Sequence, residues 1–155
     1  RPGAAAANET SFLYPGVMLV AREALCRLPS GPGDTPERLW GPALAEGRLG
    51  GIVVNGSWRE IGTPSDYLEA VLERVGTTTV RHPSAAVDVS ARLRSSLIGR
   101  NAVVEAGAVI ESSVVAEGAI VRSDAQVQRS VLLGPASTGS RESLVGEFRT
   151  EPIRR

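Results

Sequence analysis

Ala102-Val103-Val104-Glu105-Ala106-Gly107-Ala108-Val109-Ile110-Glu111-Ser112-Ser113-Val114-Val115 returns seventeen residues later as Ala119-Ile120-Val121-Arg122-Ser123-Asp124-Ala125-Gln126-Val127-Gln128-Arg129-Ser130-Val131-Leu132. Seventeen residues earlier the same scheme runs from Ala85 to Ile98. A branched apolar residue recurs in steps of 6, 6 and 5: Val87, Leu93, Ile98; Val104, Ile110, Val115; Val121, Val127, Leu132. Two positions before each stands a small residue: Ala85, Ala91, Ser96; Ala102, Ala108, Ser113; Ala119, Ala125, Ser130. About a quarter of the chain is Val, Ile or Leu, so nine in register is not a chance pattern. An α-helix needs apolar residues every three to four positions and a half-buried strand every two. A spacing near six describes a short strand, a corner and another short strand, with three sides to each coil. The branched residues point into a narrow prism, and Ala or Ser fits each corner. Coils stack at strand spacing, about 4.8 Å, so three coils make a prism about 14 Å long. Three units are close to the minimum for a stable stack, so both ends are expected to be covered.

Composition bounds the rest. The chain has 155 residues, a formal net charge of +0 and a pI near 6.8. This balance lacks the basic footprint of a nucleic-acid binder. The Lys and Arg total of 17 is entirely Arg. The single cysteine, Cys26, allows no intrachain disulfide and no multi-cysteine metal site. It reads as a small hydrophobe packed with Leu25 and Leu28. No apolar run reaches membrane-spanning length and no signal peptide is evident, so no membrane partner and a cytoplasmic location are expected. The first residue is Arg1 and not Met, which predicts a cut N-terminus or a piece of a longer protein.

Residues 12–80 have a different texture. Phe12 to Val20 reads as a strand broken at Pro15-Gly16, and Ala21 to Leu28 as a short helix stopped by Pro29. A second helical stretch is expected from Pro36 to Glu46, with Trp40 anchoring the loop after Asp34. Gly51 to Asn55 and Trp58 to Ile61 read as two strands around an Asn55-Gly56 turn. Thr63 opens the clearest helix: it is a good N-cap, Pro64 suits the first helical position and Asp66 completes a capping-box pattern. Leu68, Val71, Leu72 and Val75 form its apolar face, and Gly76 ends it. Arg81-His82-Pro83 links this region to the coils. Beyond them, residues 135–142 are polar and turn-rich, Ser143 to Phe148 reads as a last strand or a cap, and Thr150 to Arg155 as a disordered tail.

The coil pattern resembles the left-handed parallel β-helix of hexapeptide-repeat proteins, an exception to the right-handed crossover rule. Trp58-Arg59-Glu60-Ile61-Gly62-Thr63-Pro64-Ser65-Asp66-Tyr67-Leu68 resembles the W-x-D-I-G-T-P-x-D-Y-L segment of sugar-1-phosphate nucleotidylyltransferases. Tyr14-Pro15-Gly16-Val17-Met18-Leu19-Val20, with Glu23-Ala24-Leu25 after it, resembles that family's N-x-G-I-Y strand and following helix. Several branches place a short left-handed β-helix directly after these parts, and the order here is the same. The mannose-1-phosphate guanylyltransferase-like branch is the nearest in flavour. The resemblance implies an α/β fold, a partial nucleotidyltransferase Rossmann-like domain, followed by a three-coil left-handed parallel β-helix. Residues 1–80 would then be the distal part of the catalytic domain, 81–134 the β-helix, and 135–155 a polar tail or cap.

The family's sugar-1-phosphate oxygen attacks the α-phosphorus of a nucleoside triphosphate, and pyrophosphate leaves. The protein supplies mainly positioning and charge neutralisation, with Mg²⁺ held by carboxylates and phosphate oxygens. The family's metal-binding Asp corresponds here to Glu60, the implied catalytic and metal-binding residue. Read from the residues alone, Glu60 is either that ligand or a solvated strand-end carboxylate. The resemblance also implies substrate contacts from Gly16, Trp58, Gly62 and Thr63. Gly16 reads equally as a turn glycine after Pro15, and Tyr14 stands where the family has Asn. Arg1-Pro2 matches the end of the family's E-K-P motif, with Arg for Lys. The glycine-rich loop G-x-G-T-R-L-x-P-L-T, which cradles the triphosphate, does not occur in the chain. The chain therefore reads as the C-terminal part of the enzyme, inactive alone, with nucleoside triphosphate and sugar-1-phosphate as partners of the whole protein and a homo-oligomer as its expected state. Two other readings stand beside it: a non-catalytic β-helix module for assembly or regulation, and a hexapeptide-repeat acyltransferase, which needs a histidine base. The only histidine, His82, precedes the coils and reads as a linker residue.

Overall fold

The structure, a computed structural model, describes residues 12–152. It divides into two units, residues 1–58 and 59–155, and each is described by itself. The remnant motif at Arg1-Pro2 and the last three residues of the expected tail lie outside the described residues.

The second unit holds a parallel β-solenoid. Its first face is β1 (Val80–Arg81), β4 (Leu97–Ile98), β7 (Val114–Val115), β10 (Val131–Leu132) and β12 (Phe148–Arg149). The second is β2 (Ala86–Val87), β5 (Val103–Val104) and β8 (Ile120–Val121), extended by a bridge from Ile120 to Ser137. The third is β3 (Arg92–Arg94), β6 (Val109–Glu111), β9 (Gln126–Gln128) and β11 (Ser143–Val145). Every pairing is parallel and joins residues seventeen apart, as in Val80 to Leu97 and Leu93 to Ile110. The period read from the sequence is thus the length of one turn. Ile98, Val104, Ile110, Val115, Val121, Val127 and Leu132 are buried, and Val87 and Leu93 of the first turn are packed against them.

The prism is longer than the three coils expected. It begins at Val80 and runs about four turns to Arg149, so residues 136–149 are a further turn and not a tail. Ala136, Thr138 and Leu144 occupy the same columns as their predecessors and are buried. The sequence hides this turn because Glu142 and Glu147 stand where earlier turns place Ala and Ser, and Arg149 stands where they place an aliphatic residue. The Arg149 and Glu142 side chains are only 20% and 28% exposed, so their charges are satisfied by pairing with each other more than by water. The Arg149 guanidinium reaches all three faces. Nη1 donates to the Ser137 carbonyl (3.2 Å) and to Glu142 Oε2 (3.0 Å), and Nη2 donates to Glu142 Oε1 (2.9 Å) and Glu147 Oε2 (3.0 Å). The bidentate pair with Glu142 is the strong geometry for a guanidinium.

One corner uses Ser instead of Ala for a specific reason. Ser113 and Ser130 donate their backbone N–H to the hydroxyls of Ser96 and Ser113 (both 3.1 Å), and Glu147 donates to Ser130 Oγ (3.0 Å). Each hydroxyl donates in turn to a carbonyl two residues back, at 2.7 to 2.8 Å. Buried N–H groups need acceptors, and this spine of hydroxyls supplies them. The residues just before the spine, Ser95, Ser112, Arg129 and Gly146, all have positive φ, so this corner turns through the left-handed region.

The helix α3 (Pro64–Val75) covers the outer side of the first face. Its Leu68 forms a buried cluster with Val114 and Val131, and Tyr67, Val71, Leu72 and Leu97 pack around it. Two ion pairs flank it, Arg129 with Glu69 and Arg59 with Glu73. The three middle strands of this face, β4, β7 and β10, are apolar on both sides, as strands covered on both sides are. Gly76, with φ +63°, ends the helix as expected.

The first unit contains α1 (Arg22–Cys26), a π-helical turn (Pro36–Trp40) and α2 (Gly41–Ala45). The helical expectations at 21–28 and 36–46 agree with these. The strands expected at 12–20, 51–55 and 58–61 do not form. A strand needs a neighbour to take its N–H and C=O groups, and none of these segments pairs with a described strand. Their apolar residues stand in solvent: Leu19 is 95% exposed, Ile52 87% and Val54 84%. Cys26 is exposed and not packed, because α1 buries none of its residues. Trp40 anchors a different segment from the one expected. Its ring meets Tyr14 edge-on at 5.0 Å, and its Nε1 donates to Met18 Sδ (3.2 Å). The loop after Pro29 is held by Arg38, which donates to the Pro29 and Gly31 carbonyls.

Candidate functional site

The motif from Trp58 to Leu68 builds one well-defined device, the start of α3. Thr63 is its N-cap. Thr63 Oγ1 accepts from Asp66 N–H (3.1 Å) and donates to Asp66 Oδ2 (2.7 Å), while Thr63 N–H donates to the same carboxylate (2.9 Å). The capping box read from the sequence is therefore complete. The Thr63 hydroxyl holds the Asp66 carboxyl below the usual carboxylate range, with the Thr63 and Gly62 N–H groups adding to it. The Thr63 hydroxyl and Asp66 Oδ2 are thus both engaged in the helix start.

The remaining predicted residues are spread over the two units. Gly16 and Trp58 lie in the first, and Glu60, Gly62 and Thr63 in the second. Gly16 has φ +82°, which favours glycine, and open space where a side chain would begin. Trp58 is 48% exposed. Glu60 is exposed, with no hydrogen bond or ion pair to a described residue. Among the described residues no group of three or more His, Cys, Asp or Glu converges as a metal cage would require.

A recess of about 160 Å³ lies beside the motif, between Pro64, Ser65 and Leu68 of α3 and Arg129, Glu147 and Phe148 of the solenoid. Small-molecule sites generally enclose about 300–1,000 Å³, so this recess is too small to bury a nucleotide sugar.

Two features of the first turn were not legible as a unit in the sequence. Ser84 N–H donates to His82 Nδ1 (3.1 Å), and the Ser84 hydroxyl lies 2.8 Å from the same nitrogen. Ser84 Oγ then accepts Asn101 N–H (3.1 Å). Asp88 repeats this arrangement at the next corner: Ser90 N–H and hydroxyl donate to Asp88 Oδ1 (2.9 and 2.6 Å), and Ser90 Oγ accepts Gly107 N–H (3.0 Å). His82 is therefore a corner residue of the solenoid, and its Nδ1 lone pair is engaged. Glu105 is engaged likewise, with Arg122 at 2.6 Å and Ser123 N–H and hydroxyl at 3.0 Å. Arg122 holds its carboxyl below the usual range. The repetition of these contacts at successive corners marks them as structural. No described helix is long and apolar enough to cross a membrane. Comparison with protein-family models and with curated proteins gives no match to this chain.

Proposed function

We propose that the chain is the distal part of a sugar-1-phosphate nucleotidylyltransferase, of the mannose-1-phosphate guanylyltransferase type, carrying a left-handed β-helix. The observation that carries this reading is the Trp58–Leu68 motif. Its Gly-Thr-Pro-x-Asp portion starts a capped helix, and that helix packs directly on a solenoid, the order of parts the family uses. The exposed apolar segments at 12–20 and 51–54 lend support. They have the composition of strands buried on both faces, which a larger α/β sheet would cover.

Mg²⁺ binds through one or two carboxylates plus phosphate oxygens. A single exposed carboxylate at Glu60 therefore fits one position of a shared site, the others coming from substrate and from outside this chain. The metal would neutralise charge developing on the transferred phosphoryl group. The engaged Nδ1 of His82 lends no support to an acyltransferase base.

The test is pyrophosphate release with Mg²⁺, nucleoside triphosphate and hexose-1-phosphate. The 155-residue chain alone is expected to release none. A protein in which this chain is joined to a segment bearing the glycine-rich loop is expected to be active. Glu60→Gln in that protein should cost on the order of a hundredfold in turnover, as loss of a charge-stabilising group does, whereas Glu60→Asp keeps most of it. Normal turnover in Glu60→Gln makes Glu60 a bystander, and no turnover with any sugar phosphate overturns the reading.

A further inference from the structure

We propose that Asn55 is a site of spontaneous deamidation, where the chain gains one negative charge just before the Trp58–Leu68 motif. The reaction is intramolecular. The backbone nitrogen of Gly56 attacks Asn55 Cγ, a nitrogen–carbon bond closes a five-membered succinimide, and the Cγ–Nδ2 bond breaks. The Gly56 N–H proton leaves through solvent base, and the side-chain nitrogen departs as ammonia. Water then opens the ring at either carbonyl, giving aspartate or isoaspartate.

Three conditions favour this step, and Asn55 meets all of them. The attacking nitrogen must be free: Gly56 N–H donates to no described residue, and the Asn55 side chain makes no hydrogen bond to one. The nitrogen must be sterically open: Gly56 has no Cβ, and apart from its chain neighbours no residue comes within 4 Å of where one would be. The backbone must be able to rotate into the cyclic geometry: residues 51–60 are all exposed and belong to no helix or strand, and Gly56 adds its own conformational freedom.

Asn101 supplies the internal contrast. The next nitrogen, Ala102 N–H, donates to the Gly99 carbonyl (3.3 Å), and Ala102 is fully buried at a solenoid corner. Asn101 N–H is itself held by Ser84 Oγ (3.1 Å). Cyclisation there requires the corner to open first, so its rate is reduced by the free energy of local opening. The third asparagine, Asn8, lies outside the described residues.

The experiment is peptide mapping by mass spectrometry during incubation of the intact 155-residue chain at mildly alkaline pH. The readouts are the mass gain of amide-to-acid exchange and isoaspartate content. Asn55 should convert within about threefold of the rate in a free peptide spanning residues 51–59, while Asn101 should be slower by about tenfold or more. Gly56→Ala should slow conversion at Asn55, and Asn55→Gln should abolish the acidic species in isoelectric focusing. The proposal is overturned by an Asn55 rate more than about threefold below that of the peptide, which means the chain shields it. Equal rates at Asn55 and Asn101, or no effect of Gly56→Ala, overturn it as well.

Discussion

Ile110→Ala tests the prism most directly. Ile110 is 0% exposed and sits in the middle of its column, between Leu93 in the turn before and Val127 in the turn after. Neighbours on both sides keep the site from collapsing onto the space left behind. Cavity-forming Ile→Ala changes cost about 2–5 kcal/mol, and a site closed in this way belongs in the upper part, about 3–4 kcal/mol. Val87 holds the equivalent inward role in the first turn but is only partly buried, so Val87→Ala should cost about 1 kcal/mol. For a cooperative unit of this size, each kcal/mol lowers Tm by roughly 4–8 °C. Ile110→Ala should therefore lower Tm by roughly 12–30 °C, and Val87→Ala by roughly 4–8 °C. Circular dichroism melts of the two variants decide it. Equal shifts, or an Ile110→Ala cost below about 1 kcal/mol, refute the inward assignment. Ile110→Asp, which buries an unpaired charge, should abolish cooperative unfolding.

Ser113→Ala should cost about 1–3 kcal/mol, because it strips the acceptor from the buried Ser130 N–H; an unchanged urea midpoint would remove the hydroxyl spine from the account of stability. The Glu142 carboxyl is held below its ordinary value, chiefly by the hydrogen bonds from Arg149. In acid the unfolded chain takes up this proton first, so the stabilisation is complete above the ordinary carboxylate pKa, about 4.3, and fades as pH falls through the lower folded value. Acid unfolding curves of Glu142→Gln should therefore be flatter below that point than those of the parent chain, and identical curves would show the pair to be inert.

The prism was legible because its inward positions admit only branched apolar residues, and a strict period exposes them. The capping box at Thr63 was legible because three adjacent residues make it. The last turn was legible only in part, as a strand or cap at Ser143 to Phe148; its membership of the repeat was hidden, since Thr138, Glu142, Glu147 and Arg149 satisfy the prism by hydrogen bonding and not by apolar packing. The corner roles of His82 and Asp88 were hidden because each depends on a backbone N–H one turn away. The expected strands near Ile52 and Trp58 failed for a different reason. Their apolar composition is a capacity to pair, and pairing also needs a neighbour, which a short window of sequence cannot supply. The residues named for substrate were legible only through resemblance to a motif, since an exposed Glu60 carries no local signature of a metal.

The Arg149 cluster has a consequence for the length of the solenoid. Each turn offers its successor two or three strand edges and a flat apolar triangle, so nothing in the interior turns limits how many follow. A second solenoid arriving at the C-terminal end would meet the paired Arg149, Glu142 and Glu147 side chains where an interior turn presents apolar ones, and would have to displace the water that remains on them. The last described turn therefore works as a terminator. It closes the rod against fibre-like growth from that end, while duplication of a whole interior turn would lengthen the rod by about 4.8 Å and leave the terminator untouched.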